Sequence, residues 1–209
     1  MSRRVILLTF LLLSRFGLSA PVFVNAVAGK VGEQLITVQE AYFFRGIQRL
    51  RTGERPTILL ETDKNLKSTV QKLMFEHMIA EEAKISEFKD PDPKQTSEQV
   101  KKITDQAQSG EWKRLLNTFS VTEAEGLKRI TRGILAEKFL KKKIESLTPI
   151  VTDAEIEEYI RNYPEKVKRL GDKKQSLIAE ALKKDRIDKG LQDYIDFLSE
   201  KYSATFLLS

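Results

Sequence analysis

The 209-residue chain has no cysteine, one histidine, one tryptophan and three methionines. The missing thiols exclude disulfide staples, a cysteine nucleophile and thiolate metal ligands. With His77 as the single imidazole, no second histidine completes a structural zinc site, and no metal is expected. That ring would also have to serve any Ser-His-Asp arrangement alone. It sits between Glu76 and Met78 in a helical stretch, where a helix-surface or core-edge place is expected. No glycine-rich phosphate loop occurs, so no nucleotide or other cofactor is expected. Glu81-Glu82 and Glu155-Glu157-Glu158 offer carboxylates, but in positions that fit helix starts and solvated faces. No catalytic residue is assigned. Six prolines, ten glycines and the lack of any low-complexity run mark a chain that folds.

Long apolar runs are scarce as well. The most apolar stretch, residues 5–13, is nine residues interrupted only by Thr9, far short of the roughly 20 needed to span a bilayer as a helix. Ser2-Arg3-Arg4 precede it, Arg15 ends it, and Gly17, Ser19 and Ala20 follow. This is the layout of a secretory signal, residues 1–20, cut after Ser19 or Ala20, with Ala26 a third choice. An uncleaved anchor would have to place Arg15 in hydrocarbon. With no cysteine after the apolar stretch, a lipid-anchored lipoprotein is excluded, and the product is expected to be exported without a permanent membrane anchor. Cleavage removes three of the 36 basic residues, leaving 33 against 30 acidic ones, so the formal charge falls from +6 to +3. The basic pI therefore owes much to the signal, and the remaining charges are interspersed along helices. That argues against nucleic acid as a partner.

The remaining chain of about 189 residues has material for a substantial core. Residues 26–31 and 34–36 read as two strands around a Gly32-Glu33 turn. They are too small to stand alone. Thr37-Val38-Gln39-Glu40 has capping-box spacing and opens a helix to about Leu50. After the turn-rich residues 51–56, a second helix runs from about Asp63 to Lys84, with Leu66, Val70, Leu73, Met74, Met78 and Ile79 as its buried stripe. Lys89-Asp90-Pro91-Asp92-Pro93 ends it. Ser97 is expected to cap a polar helix to about Ser109, and Gly110 to break before a short helix around residues 112–119. Thr122-Glu123-Ala124-Glu125 starts the longest helix, to about Ser146, with Lys141-Lys142-Lys143 placed to complement its dipole. Thr152-Asp153-Ala154-Glu155 starts another, ending near Tyr163-Pro164, and a last helix spans about 172–201. Residues 204–208 form a closing strand. The three strands predict one small sheet tying the two ends of a mainly α fold together.

This order of elements, and residues at several of its joints, resemble the SurA-like family of periplasmic chaperones. The family's valine-rich strand, turn, strand and acidic helix start correspond to Phe23-Val24-Asn25-Ala26-Val27-Ala28-Gly29-Lys30-Val31-Gly32-Glu33-Gln34-Leu35-Ile36-Thr37-Val38-Gln39-Glu40. Its second-helix pattern corresponds to residues 73–83. Val151-Thr152-Asp153-Ala154-Glu155-Ile156-Glu157-Glu158-Tyr159 looks like the helix closing the family's N-terminal module. The resemblance implies a helical chaperone domain over 21–163 and a C-terminal helix and strand, 164–209, packing back on it. It also implies a periplasmic location and ATP-independent binding of unfolded outer-membrane or secreted polypeptides. One departure matters. The family's parvulin prolyl isomerase domains lie between that helix and the C-terminal one, and here only a connector joins Tyr163 to Leu177, where a domain of at least about 50 residues would be needed. Isomerase activity is not expected to carry over.

Two apolar clusters are candidates for client binding. Tyr42, Phe43 and Phe44 are consecutive, so on a helix they spread over about 200 degrees and cannot all share one narrow stripe. Met74, Phe75 and Met78 add the polarizable side chains common on promiscuous surfaces. Core packing is the favoured reading of both; exposure would instead give a groove for extended chains. The alternative function is a cell-envelope structural or adaptor protein holding one folded partner.

Overall fold

A computed structural model describes residues 26–56, 63–106, 110–147, 149–168, 171 and 174–208. The predicted signal, with Ser19 and Ala20, lies outside the described residues. The fold is mainly helical with a small antiparallel sheet.

Strands β1 (Val27–Val31) and β2 (Gln34–Thr37) form a hairpin whose turn places Gly32 at φ 57°, a left-handed conformation that favours glycine. β3 (Thr205–Phe206) adds to the other edge of β1, giving the order β2-β1-β3. The Leu207 amide donates to the Ala28 carbonyl at 3.0 Å and the Gly32 amide to that of Tyr202 at 2.6 Å. Distant segments thus share one sheet, as the strand patterns predict.

The helices follow as α1 (Val38–Arg51), α2 (Asp63–Ile85), α3 (Pro93–Gln106), α4 (Glu111–Thr118), α5 (Glu123–Leu147), α6 (Asp153–Asn162), α7 (Pro164–Val167) and α8 (Lys174–Lys201). The longest is α8, 28 residues against 25 in α5. Three starts show different degrees of capping. Thr152 and Glu155 form a reciprocal capping box at α6. At α1, Thr37 accepts from the Glu40 amide at 3.1 Å, but the Glu40 side chain turns inward to His77, so only half the box forms. At α3 the expected Ser97 cap is displaced by a turn: Asp92 accepts from the Gln95 amide at 2.9 Å, Pro93 takes the first helical position, and Ser97 bonds back to the Pro93 carbonyl. Proline costs nothing where the amide would be unpaired anyway.

Apolar side chains collect in three clusters. The first lies between the sheet, α2, α5 and the end of α8, and includes Ile36, Leu73, Met74, Met78 and Leu198. The absence of a side chain at Gly29 brings strand and helix together, because a Cβ there would lie 2.8 Å from Met74 Sδ. The second cluster joins α1, α3, α4 and α5 around Phe43, Trp112, Leu115 and Ile134. Helix α1 divides the two, with Ala41 in the first and Phe43, Ile47 and Leu50 in the second. The third cluster is a satellite of Ile156, Val167 and Ile178 beneath α6, α7 and the first half of α8. The second half of α8 belongs to the main body. Ile156 of α6 thus shares its core with Val167 and Ile178, which lie on the far side of the 163/164 boundary that the resemblance implies.

Candidate functional site

Helix α1 divides its three consecutive aromatics between the two larger cores. Phe43 is fully buried in the second cluster, with the ring of Phe119 edge-on at 6.0 Å. Tyr42 is half-buried at the margin of that cluster, and Phe44 is half-buried against the first. Met74 and Met78 are buried in the first cluster, and Phe75 is half-buried beside them. The six candidates thus divide between two cores. Only Phe44 and Phe75 meet at an accessible feature, a shallow cleft of about 130 Å³ between α1, α2 and α5.

His77 is also placed differently from expectation. It is buried, with Nδ1 3.1 Å from Gln34 Oε1 and Nε2 3.3 Å from Glu40 Oε1. Arg129 approaches Glu40 from α5 at 4.0 Å, and Arg132 Nε donates to Glu76 Oε1 at 3.1 Å. Isolated buried charges are expensive, so each is matched across a helix boundary. Burial works to raise the Glu40 carboxyl, but His77, Arg129 and Arg132 outweigh it and hold that group below its ordinary value. Burial wins at Glu76, whose carboxyl is pushed up despite Arg132. The space enclosed among Glu40, Glu76, Arg129 and Gly133 is about 10 Å³, roughly room for one water. This network clamps α1, α2 and α5 together and has no space for a substrate.

The accessible surface of interest lies on the outer side of the α2–α5 contact. Residues at three- and four-residue spacing on α5, Lys128, Thr131, Arg132, Leu135, Ala136, Phe139, Lys142, Lys143 and Ser146, line two open grooves with the end of α2 and the loop after it. One groove, of about 460 Å³, is floored by Ala80, Ala83, Leu135 and Ala136 and bordered by Lys84, Lys128 and Arg132. The other, of about 520 Å³, is bordered by Lys89, Lys142 and Lys143, with Glu87 its one carboxylate. Phe88 lines both. Its ring meets Phe139 edge-on at 5.4 Å, and Lys142 Nζ lies 5.9 Å from its centre.

The loop that carries Phe88 is held in place. Lys138 Nζ donates to Asp90 Oδ1 and Thr96 Oγ1 at 2.7 Å each and to the Asp92 carbonyl at 3.0 Å. Burial works to raise the Asp90 carboxyl, but the Lys138, Thr96 and Asp92 hydrogen bonds lower it overall. The last turn of α5, which ends at Leu147, holds no basic residue, and two of the lysines expected to serve the helix dipole lie against aromatic rings instead. Lys142 covers Phe88, and Lys143 lies 5.2 Å from the Tyr194 ring of α8. Sequence reasoning missed this surface: of its α5 residues, Lys142 and Lys143 were singled out, and only for the helix dipole. The turn after α2 reads only as a helix stop.

No family model, curated protein or solved structure matches the chain. The reading of function therefore rests on the residues and their geometry. Among the described residues no helix is long and apolar enough to cross a membrane, and no group of acidic, histidine or cysteine side chains is arranged to hold a metal ion.

Proposed function

We propose that this chain is an exported, SurA-like chaperone that binds unfolded outer-membrane or secreted polypeptides without ATP and without prolyl isomerase activity. The observation that carries this reading is the pair of open grooves beside the α2–α5 contact, one floored by Ala80, Ala83, Leu135 and Ala136 and both lined by Phe88. The sheet that joins β3 to β1 supports it too, since it brings the C-terminal segment back to the N-terminal strands as the family resemblance implies. Only six residues separate α7 from α8, which favours the form without an inserted domain. Function then follows from mass action: a holdase that binds the unfolded chain lowers the concentration free to aggregate.

The test is dilution of a urea-unfolded outer-membrane barrel protein into buffer with the purified protein, followed by light scattering. Suppression at low micromolar concentration, equal with and without ATP, is the expected result. Unchanged aggregation together with no binding of barrel-derived peptides would sink the proposal. A pull-down from envelope extract separates the adaptor reading, because a single stoichiometric partner favours an adaptor and a broad set of barrel proteins favours a chaperone.

A further inference from the structure

We infer that the α2–α5 surface selects client segments that alternate apolar and acidic residues. This rests on the holdase reading and adds the chemistry of the segment held. The cations around the grooves are unevenly matched. Lys84 pairs with Glu81 at 3.6 Å and Arg132 with Glu76 at 3.1 Å. Lys89, Lys128 and Lys142 are exposed and have no carboxylate in ion-pair reach among the described residues. Three unmatched cations beside an apolar floor complement a ligand that brings both carboxylates and apolar side chains.

The dimensions fit an extended peptide. Residues 128–146 of α5 span about 27 Å at 1.5 Å per residue, the reach of about eight residues of extended chain. Alternate side chains of such a segment point to opposite sides. One set can enter the floor at Ala80 and Leu135, and the other points away from it, where the long exposed side chains of Lys89, Lys128 and Lys142 can extend to meet its carboxylates. A nucleic acid fits less well. Phe88 is the aromatic side chain shared by both grooves, and with Phe139 against its ring and Lys142 near its face it offers no open stacking platform of the kind bases use.

The experiment measures binding of two fluorescein-labelled octapeptides to the full protein by anisotropy. Both alternate the same apolar residues, one with Asp and Glu and the other with Lys. At low salt the acidic peptide is expected to bind at least tenfold more tightly than the basic one, and to lose severalfold affinity as salt is raised. A Lys128→Glu/Lys142→Glu double variant, checked for an unchanged melting curve, is expected to lose at least tenfold for the acidic peptide. A Lys128→Arg/Lys142→Arg variant retains binding. Equal affinities for the two peptides, an unaffected double variant, or tighter binding of an oligonucleotide at the same surface would each overturn the inference. Aggregation assays separate the two proposals. If the Glu double variant still suppresses aggregation as well as the wild type, the groove assignment fails and the holdase survives. If the wild type binds acidic peptide through these lysines yet never suppresses aggregation, the holdase fails and the groove preference survives.

Discussion

The two sides of the α2–α5 contact treat charge in opposite ways. Toward α1, Glu40, His77, Glu76, Arg129 and Arg132 are shielded and face oppositely charged or polar groups. Toward solvent, the cations outnumber carboxylates along the grooves. The difference follows from desolvation. An unmatched charge inside costs several kcal/mol, while an unmatched lysine in water costs almost nothing and stays available for a ligand. Arg132 stands at the border, lining the groove and pairing with Glu76.

The largest losses are expected on the inner side. Phe43→Ala empties a site that is wholly shielded from solvent, and should cost about 4 kcal/mol in urea denaturation. Gly46→Ala is next. A Cβ there would lie 2.3 Å from Leu115 Cδ1, and such overpacking should cost about 2 kcal/mol, read as a lower urea midpoint with unchanged slope.

A subtler test uses the two carboxylates whose proton affinities move in opposite directions. Glu40 is held below its ordinary value of 4.5 by His77, Arg129 and Arg132, against the effect of burial. Its contribution is present above about 4.5 and lost as the pH falls below that toward its folded value. Glu76 is raised above 4.5 by burial, so its contribution is present below 4.5 and lost as the pH rises through the folded value. At neutral pH, Glu40→Gln should therefore destabilise the protein, whereas Glu76→Gln should leave it as stable or more stable. Stability curves at pH 7 and pH 4 check both signs, and equal effects from the two variants would refute the contrast. Smallest of all should be the outer side: Lys128→Ser and Lys142→Ser are each expected to change stability by no more than about 0.5 kcal/mol.

Much of the fold was legible because local rules decided it. Gly32 in a left-handed turn, Thr152 with Glu155 at a helix start and Gly110 at φ 106° before α4 are all set by backbone sterics and nearby hydrogen bonds. Misreadings arose where a distant partner competed. Glu40 left its own capping box and faces the buried His77, 37 positions away, with Oε1 3.3 Å from Nε2. Ser97 lost the cap to Asp92 because Pro93 fits the first turn and Asp90 is tied to Lys138. Three consecutive aromatics, Tyr42, Phe43 and Phe44, are too wide for one stripe of a helix. That they serve two cores depends on α1 lying between α2 on one side and α4 on the other.

Residue order and composition are enough to read the helical class, the closing strand and the scarcity of cysteine and histidine. Periodicity and composition are properties of the chain, and they need no neighbour to be read. Which aromatics are hidden, which charges are matched, and that one face of α5 meets the turn carrying Phe88 and Lys89 follow from packing alone. Burial and pairing are relations between segments brought together by packing, and desolvation assigns their energies only after that packing exists.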